Sequence, residues 1–191
     1  MVRLTRIYTR LGDGGDTHLG DMSRTRKTSL RVTAYGEVDE LNSVIGVVRA
    51  GGLAEDDDRR LARVQNDLFD LGADLAVPES SDPEGTRLRV RADQVGRLEE
   101  WCDEGNEGLQ PLTSFVLPAG QPAAAALHLA RTVCRRAERA VVALSDGEPV
   151  NPQAVAYLNR LSDLLFILAR GVNAAAGGDV LWVPGGPDAT R

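Results

Sequence analysis

The sequence predicts an all-α protein: an up-and-down bundle of about five helices with a glycine-rich N-terminal loop. Apolar residues recur at intervals of three or four along most of the chain, and glycines and prolines separate these stretches. No run of alternating polar and apolar residues predicts a sheet. At 191 residues the chain is expected to form one domain, 1–191, with residues 1–29 as the loop and 179–191 as a loose tail.

The first two predicted helices have the clearest apolar stripes. The first covers about residues 35–50 and ends at Gly51 and Gly52, a typical helix-end signal. The second begins at the acidic residues 55–58, which suit a helix N-terminus, and ends before Pro78. Its stripe recurs every three or four residues, at Leu61, Val64, Leu68, Leu71 and Leu75.

Three further helices follow in the C-terminal part of the chain. A short helix over residues 92–102 contains the destabilising Gly96, and a longer helix covers residues 122–144. Asn151 and Pro152 supply an N-cap and a first-turn proline for the last helix, which ends near residues 177–178. Beyond it, GDVLWVPGG is compatible with a brief extended segment.

Composition excludes several classes of protein. A net charge of −6 argues against a protein that coats nucleic acid or an anionic membrane. Cys102 and Cys134 form neither a zinc pattern nor a disulfide framework. The longest apolar run, residues 164–169, is too short to cross a membrane, and the N-terminus lacks the apolar core of a secretory signal. We therefore expect a soluble cytoplasmic protein.

The fourth predicted helix carries a stripe of arginines. In RTVCRRAERAVV, Arg131, Arg135 and Arg139 are spaced four apart and share one face with Glu138. Like charges at this spacing repel each other, so either water or a shared anion must compensate them. Because basic runs on helices usually face solvent, the spacing alone leaves both alternatives open.

The fifth predicted helix places two polar residues among leucines. In YLNRLSDLLFILAR, Asn159 and Asp163 are four apart and are expected to be buried on one side. A buried amide and carboxylate require partners, and the arginines of the fourth helix are the nearest in sequence. A structural Arg–Asp pair and a ligand site are both compatible with this pattern. An inward-facing Asp39 on the first helix would hold one of the arginines, whereas an outward-facing one would be surface charge.

The N-terminal segment, residues 9–27, is rich in groups that bind phosphate. Its glycines allow backbone N–H groups to approach oxygens, and its hydroxyl and basic side chains donate hydrogen bonds and charge. It matches no P-loop, dinucleotide-binding turn or EF-hand, because the required spacings are absent. A disordered tail is the alternative interpretation.

Together and in this order, these motifs resemble the PduO-type ATP:cob(I)alamin adenosyltransferases. IYTRLGDGGDTHLGD resembles the family's N-terminal ATP loop, Lys27 its downstream lysine, AYGEVDELNSVIG its first helix and FVLPAG its mid-chain loop. RTVCRRAERAVV and YLNRLSDLLFILAR resemble its two signature helices. The similarity covers most of the chain and is weakest across residues 50–110.

The resemblance implies a homotrimer that binds ATP at subunit interfaces and transfers its 5′-deoxyadenosyl group to Co(I) of cobalamin, giving adenosylcobalamin and triphosphate. Mg²⁺ would assist as a cofactor, and its ligands are left unassigned. The residues implied to line ATP are Thr9, Arg10, Leu11, Gly12, Thr17, His18, Lys27, Arg135, Arg136, Ala137, Glu138, Arg139, Asn159 and Asp163.

Four residues have implied roles in the reaction. Arg135 would be the main phosphate-binding arginine, and Asp39 would pair with Arg131 and tie subunits together. Phe115 would keep the lower axial ligand off cobalt. Co(I) is itself the nucleophile, which accounts for the lack of a nucleophile–base pair in this sequence.

Four positions depart from the family pattern, at Leu11, Gly14, His18 and Ala119.

A flavin reductase or a B12-dependent enzyme is an implied delivery partner. The alternatives are a non-catalytic ATP-binding regulator, which would give Phe115 no task, and a plain interaction module. A di-iron bundle is disfavoured because the chain has two histidines and no Glu-x-x-His pair.

Overall fold

A computed structural model of the chain describes residue 8, residues 10–81 and residues 85–186. It confirms the predicted helical bundle, and a small hairpin precedes the helices. The hairpin strands are β1 (Asp16–His18) and β2 (Arg24–Arg26), and the helices are α1 (Leu30–Ala50), α2 (Glu55–Ala76), α3 (Ala92–Asn106), α4 (Pro122–Ser145) and α5 (Pro152–Ala174). Within these described ranges, each helix is too short or too polar to span a bilayer.

The helix boundaries follow the local sequence signals. α1 begins five residues earlier than about residue 35, because Ser29 acts as its N-cap and accepts a hydrogen bond from the N–H of Val32 at 3.3 Å. The predicted start of α5 is confirmed: Asn151 accepts from the N–H of Gln153 at 3.1 Å, and Pro152 occupies the first turn.

The core lies where α4 packs between α1 and α5, with α2 against α1 and α3 against α5. The prediction that most of α5 is buried is confirmed, since Tyr157, Leu158 and Leu161 are fully buried. On α4, Val133, Ala137 and the other apolar residues of one face are buried as well. The opposite face of α4 is therefore free to carry polar side chains.

A buried carboxylate, Asp67, ties α2 to α3 and α5. It accepts hydrogen bonds from Gln94 at 3.0 Å, from Arg97 at 2.5 Å and from the Tyr157 hydroxyl at 3.1 Å. Burial, followed by the charge of Asp67, raises the pKa of Tyr157 well above its usual value. The charge of Asp67 is thus compensated entirely inside the chain, as burial of a carboxylate requires.

The hairpin corrects the expectation that residues 1–29 contain no strand. Its strands are too short to show an alternating pattern, and ion pairs of Asp16 with Arg24 (2.7 Å) and Arg26 (3.0 Å) hold them together. The hairpin docks on the end of α2, where the N–H of Gly20 donates to the carbonyl of Ala76 at 2.8 Å. A Cβ at Gly20 would lie 2.6 Å from a methyl group of Val77, so glycine is needed there.

Candidate functional site

Three arginines on the outer face of α4 have no acidic partner in the part of the chain that the structure describes: Arg131, Arg135 and Arg139. Every other arginine within a described helix is ion-paired with a carboxylate. Arg135 and Arg139 are exposed, and Arg139 donates to the backbone carbonyl of Arg135 at 3.0 Å. The stripe therefore presents uncompensated positive charge.

Arg131 is the least solvated of the three. Its guanidinium carbon lies 5.9 Å from the ring centroid of Phe166. Its Nε is buried and has no hydrogen-bond partner among the described residues. Burial, followed by the positive charge of Arg135, lowers the pKa of Arg131. An anion or a carboxylate from outside this chain would stabilise such a group.

The polar residues of α5 differ in part from the prediction. Asn159 is half-buried and donates to Glu138 of α4 at 2.9 Å, so its partner on α4 is an acid and not an arginine. Arg160 donates to the Asn159 side-chain oxygen at 2.6 Å. The expectation that Asp163 is buried is wrong, because its side chain is exposed.

Two further α4 residues have structural neighbours. Arg136 binds Glu37 at 2.5 Å and also pairs with Glu40, which joins α4 to α1. These bonds raise the pKa of Arg136, with the Glu37 hydrogen bond as the largest cause. Ala137 is fully buried in the core and has no surface from which to contact a ligand. Neither residue belongs to the uncompensated stripe.

Asp39 of α1 is exposed, and its side chain has no ion pair among the described residues. Its backbone carbonyl accepts a hydrogen bond from Ser43 at 3.1 Å. Arg131 and Asp39 are thus two oppositely charged side chains that do not meet within one copy of the chain.

An open cavity of about 660 Å³ adjoins the arginine stripe at Arg131. Residues 112–116, Phe166 and Trp182 complete its lining. Phe115 is 77% exposed, and its ring meets Trp182 edge-on at a centroid distance of 5.9 Å. The structure therefore brings together two of the predicted site residues, Arg131 and Phe115, at one cavity whose size suits a small molecule.

The segment after α5 bonds to the mid-chain loop at residues 180–182, within the range 179–191 that was expected to be a loose tail. Residues 187–191 of that range lie outside the described residues. The N–H of Trp182 donates to the carbonyl of Phe115 at 2.7 Å, and the N–H of Leu117 donates to the carbonyl of Val180 at 2.8 Å. The brief extended segment is confirmed as a bridge between Val116 and Leu181. Sequence reasoning missed Trp182, although a large aromatic residue within a short apolar run was a usable signal.

The N-terminal segment folds back on itself around its glycines. The N–H of Lys27 donates to the carbonyl of Gly15 at 2.9 Å, and a Cβ at Gly12 would lie 3.0 Å from the Lys27 ammonium nitrogen. Arg10 has a φ of 62° and lies over the ring of Tyr8. The segment thus gathers exposed cations beside a backbone that glycine keeps open.

The remaining predicted residues of this segment vary in exposure. Thr17 is half-buried, whereas Leu11 and His18 are exposed, and Thr9 lies outside the described residues. No hydrogen bond or ion pair joins residues 10–27 to α4. In one copy of the chain, the two sets of predicted phosphate-binding cations are therefore separate.

Comparisons with known proteins converge on one family. The family model described as cobalamin adenosyltransferase matches residues 7–172. A corrinoid adenosyltransferase of Mycobacterium leprae is 52% identical, with 97% of this chain and 99% of that protein covered. A corrinoid adenosyltransferase of Bacillus subtilis is 45% identical, with coverage of 92% and 91%.

Solved structures agree with this assignment. A variant of the PduO-type ATP:corrinoid adenosyltransferase from Lactobacillus reuteri, complexed with cobalamin and ATP, has a TM-score of 0.87 at 37% identity and covers 93% of this chain and 96% of its own. Another variant of that enzyme, complexed with ATP, has a TM-score of 0.85 at 36% identity and covers 93% of this chain and 100% of its own.

Proposed function

Because the chain belongs to the cobalamin adenosyltransferase family, we propose that its α4 stripe and N-terminal segment bind the ATP of an ATP:corrinoid adenosyltransferase. This enzyme transfers the 5′-deoxyadenosyl group of ATP to cobalamin. The observation that carries the proposal is a set of helical arginines that have no carboxylate partner among the described residues, whereas the other helical arginines are paired. A triphosphate supplies the missing negative charge.

Arg135 is the main phosphate-binding residue in this proposal. It is exposed at the middle of the stripe, and no carboxylate competes for it among the described residues. Arg139 continues the site by one turn, and Asn159, held by Glu138, marks its α5 side. Fixed cations of this kind stabilise the charge that develops on a leaving triphosphate.

The second half of the nucleotide site comes from another copy of the chain. Lys27, Arg10 and Gly12 lie on a segment that makes no described bond to α4 of its own copy. An isologous or cyclic assembly would place this segment over the α4 stripe of a neighbour, and a homotrimer is the assembly we propose. Asp39 of one copy would pair with Arg131 of the next, since neither has an ionic partner among the described residues of its own copy.

The cavity beside Arg131 takes the corrinoid. Its apolar wall at Phe115 and Phe166 suits the flat face of the corrin ring. The exposed Phe115 would take the position of an axial ligand below cobalt. In the reaction, Co(I) donates an electron pair to C5′ of ATP, and the C5′–O bond breaks with its electrons passing to triphosphate. The protein supplies position, charge and an axial face without water.

Mg²⁺ is a proposed cofactor, and the residues present fit an ion that is bound mainly through the triphosphate. The described residues contain no cluster of three metal-binding side chains, which is compatible with an ion carried mainly by phosphate oxygens and water. Glu138, which accepts a hydrogen bond from Asn159, and Asp163, one turn further along α5, would supply further oxygen ligands. When bound, Mg²⁺ would neutralise part of the negative charge of the leaving triphosphate.

We also place the enzyme in the cytoplasm, with a reductase or a B12-dependent enzyme as its partner.

An anaerobic assay tests the proposed function. The protein is mixed with ATP and chemically reduced cob(I)alamin, and the visible spectrum is followed for the Co–C bond while triphosphate is quantified. We expect both products in equal amounts. ATP binding without either product would instead support a non-catalytic nucleotide-binding protein and contradict the proposal.

A further inference from the structure

The ring of Phe115 has little of the packing that normally fixes an aromatic side chain. It is 77% exposed, on a loop between α3 and α4. The ring contact that the structure gives it is with Trp182, edge-on at 5.9 Å and with an interplanar angle of 67°. This geometry is a favourable one for two aromatic rings. Without it, rotation about the side-chain bonds of Phe115 would be far less restricted.

The backbone of the loop depends on the same C-terminal segment. The backbone N–H of Trp182 donates to the backbone carbonyl of Phe115 at 2.7 Å, and the backbone carbonyl of Trp182 accepts a hydrogen bond from the hydroxyl of Ser114 at 2.8 Å. Both bonds are made by the residue whose ring meets Phe115. One residue therefore controls both the backbone and the ring orientation of Phe115.

The base of the C-terminal segment is itself anchored. Arg170 is 8% exposed and bonds to Asp179 at 2.8 Å, three residues before Trp182, and to the carbonyl of Gln110 at 2.7 Å. This ion pair fixes the segment to α5 and to the start of the loop. The contacts of Arg170 with Asp179 and Gln110 thus fix the position of Trp182 relative to α5, and Trp182 in turn positions Phe115.

We propose that Trp182 is a positioning residue for the reaction: it forms one wall of the corrinoid cavity and holds Phe115 in the orientation that keeps an axial ligand away from cobalt. The inference rests on the proposed function, because it assigns the cavity of residues 112–116 to the corrinoid. The inference makes the segment after α5 part of the active site. It also predicts that Trp182 matters most when the corrinoid carries a competing axial base.

The test compares two corrinoids, cobalamin with its tethered base and cobinamide, which lacks that base. Trp182→Ala and Trp182→Phe are assayed beside Val183→Ala, a matched control at an exposed apolar neighbour outside the cavity lining. Each assay starts from Co(II) with a reductant and ATP, and yields kcat and the KM values for ATP and corrinoid. The visible and EPR spectra of bound Co(II) report the axial ligand directly.

We expect Trp182→Ala to lower kcat with cobalamin by about tenfold and with cobinamide by less than about threefold, with the KM for ATP unchanged. Its Co(II) spectrum with cobalamin should retain the signature of the bound axial base. Trp182→Phe should recover most of the activity, because an aromatic ring remains, and Val183→Ala should match the unaltered protein.

Two results would overturn the inference. Equal losses with both corrinoids would mean that Trp182 acts only on the fold, and an unchanged rate and spectrum would mean that Phe115 is held without it. If the unaltered protein formed no Co–C bond with either corrinoid, the proposed function itself would fail. If the unaltered protein is active and Trp182→Ala gives either of the two results above, this inference alone fails.

Discussion

Charged side chains are treated differently on two sides of this bundle. Between α2, α3 and α5, the carboxylate of Asp67 is fully buried and is satisfied by Arg97, Gln94 and Tyr157. On the outer face of α4, Arg131 and Arg135 have no carboxylate partner among the described residues. The first group of charges is complete within one chain, and the second is not.

This difference in charge compensation distinguishes charges that stabilise the fold from charges that are available to bind a ligand. A buried charge must be compensated when the chain folds, so a closed network such as that of Asp67 is structural. An uncompensated and partly exposed stripe costs little in water and gains most when an anion arrives. Changes on the Asp67 side should therefore alter stability, and changes on the α4 stripe should alter activity.

Asp67→Ala should have the largest effect. Removing the carboxylate leaves the buried Gln94 and Tyr157 and the half-buried Arg97 without their acceptor, which we expect to lower the free energy of unfolding by about 3–5 kcal/mol. Urea denaturation followed by circular dichroism measures the loss. Asp93→Ala, at an exposed ion pair with Arg91, is the matched control and should be destabilised far less. Equal losses of stability in Asp67→Ala and Asp93→Ala would contradict the structural role assigned to the buried Asp67 network.

Arg135→Ala should have the next largest effect, on activity alone. Losing the cation proposed as the main phosphate-binding group should lower kcat/KM by about 100- to 1000-fold, as for removal of a group that stabilises a leaving anion. The melting temperature should not change. Arg59→Ala is the control, since Arg59 is an exposed helical arginine already paired with Glu55 and Asp56. Normal turnover by Arg135→Ala would remove its assigned role.

Phe115→Ala should have a smaller and conditional effect. ATP affinity, measured by calorimetry, should stay the same because Phe115 lies in the cavity proposed for the corrinoid and not on the arginine stripe. Adenosylation that starts from Co(II) should slow, since an axial ligand can then return and make Co(II) harder to reduce. The loss should be smaller with Co(I) supplied directly. An unchanged rate from Co(II) would refute the proposed role of Phe115.

His128 offers the smallest predicted effect, on the pH dependence of stability. Its imidazole is buried, neither nitrogen has a hydrogen-bond partner among the described residues, and burial lowers its pKa. The charge of Arg131 also lowers this pKa, whereas that of Asp179 raises it. The unfolded chain thus binds the proton more readily, so the stabilising contribution of neutral His128 is present above about pH 6.5 and is lost as the pH falls.

Denaturation at pH 7.5 and 5.5 checks this prediction. The free energy of unfolding should fall between these values, and the fall should be smaller in His128→Leu. His18→Leu, at the exposed histidine of the hairpin, should behave like the unaltered protein. The same fall in all three proteins would show that His128 does not contribute.

The helices were predictable because their signals are local. The acids at residues 55–58 and Pro78 bracket α2, and Asn151 with Pro152 marks the start of α5. The hairpin was missed because strands of three residues are too short to show a pattern. The boundary of a helix depends on its own sequence, whereas its partners depend on the rest of the chain.

The candidate site was predictable in its residue types and less so in their environment. The four-residue spacing placed the arginines on one face of α4, but whether Asp163 is covered depends on which helices pack against α5. Trp182 could have been noticed as a large aromatic residue in a short apolar run, but its contact with Phe115 could not be predicted, because the Val116–Leu181 bridge joins segments far apart in sequence. Those contacts became visible only from the three-dimensional fold.

Mixing two inactive variants tests most directly whether the α4 stripe is completed by another copy. Arg135→Ala and Lys27→Ala are each expected to be inactive alone, and they are unfolded together, refolded as a 1:1 mixture and assayed for Co–C bond formation. If the nucleotide site joins α4 of one copy to the N-terminal segment of the next, about a quarter of the sites regain both cations and activity returns to about that fraction. If both cations act within one copy, every site lacks one of them, and the mixture stays inactive.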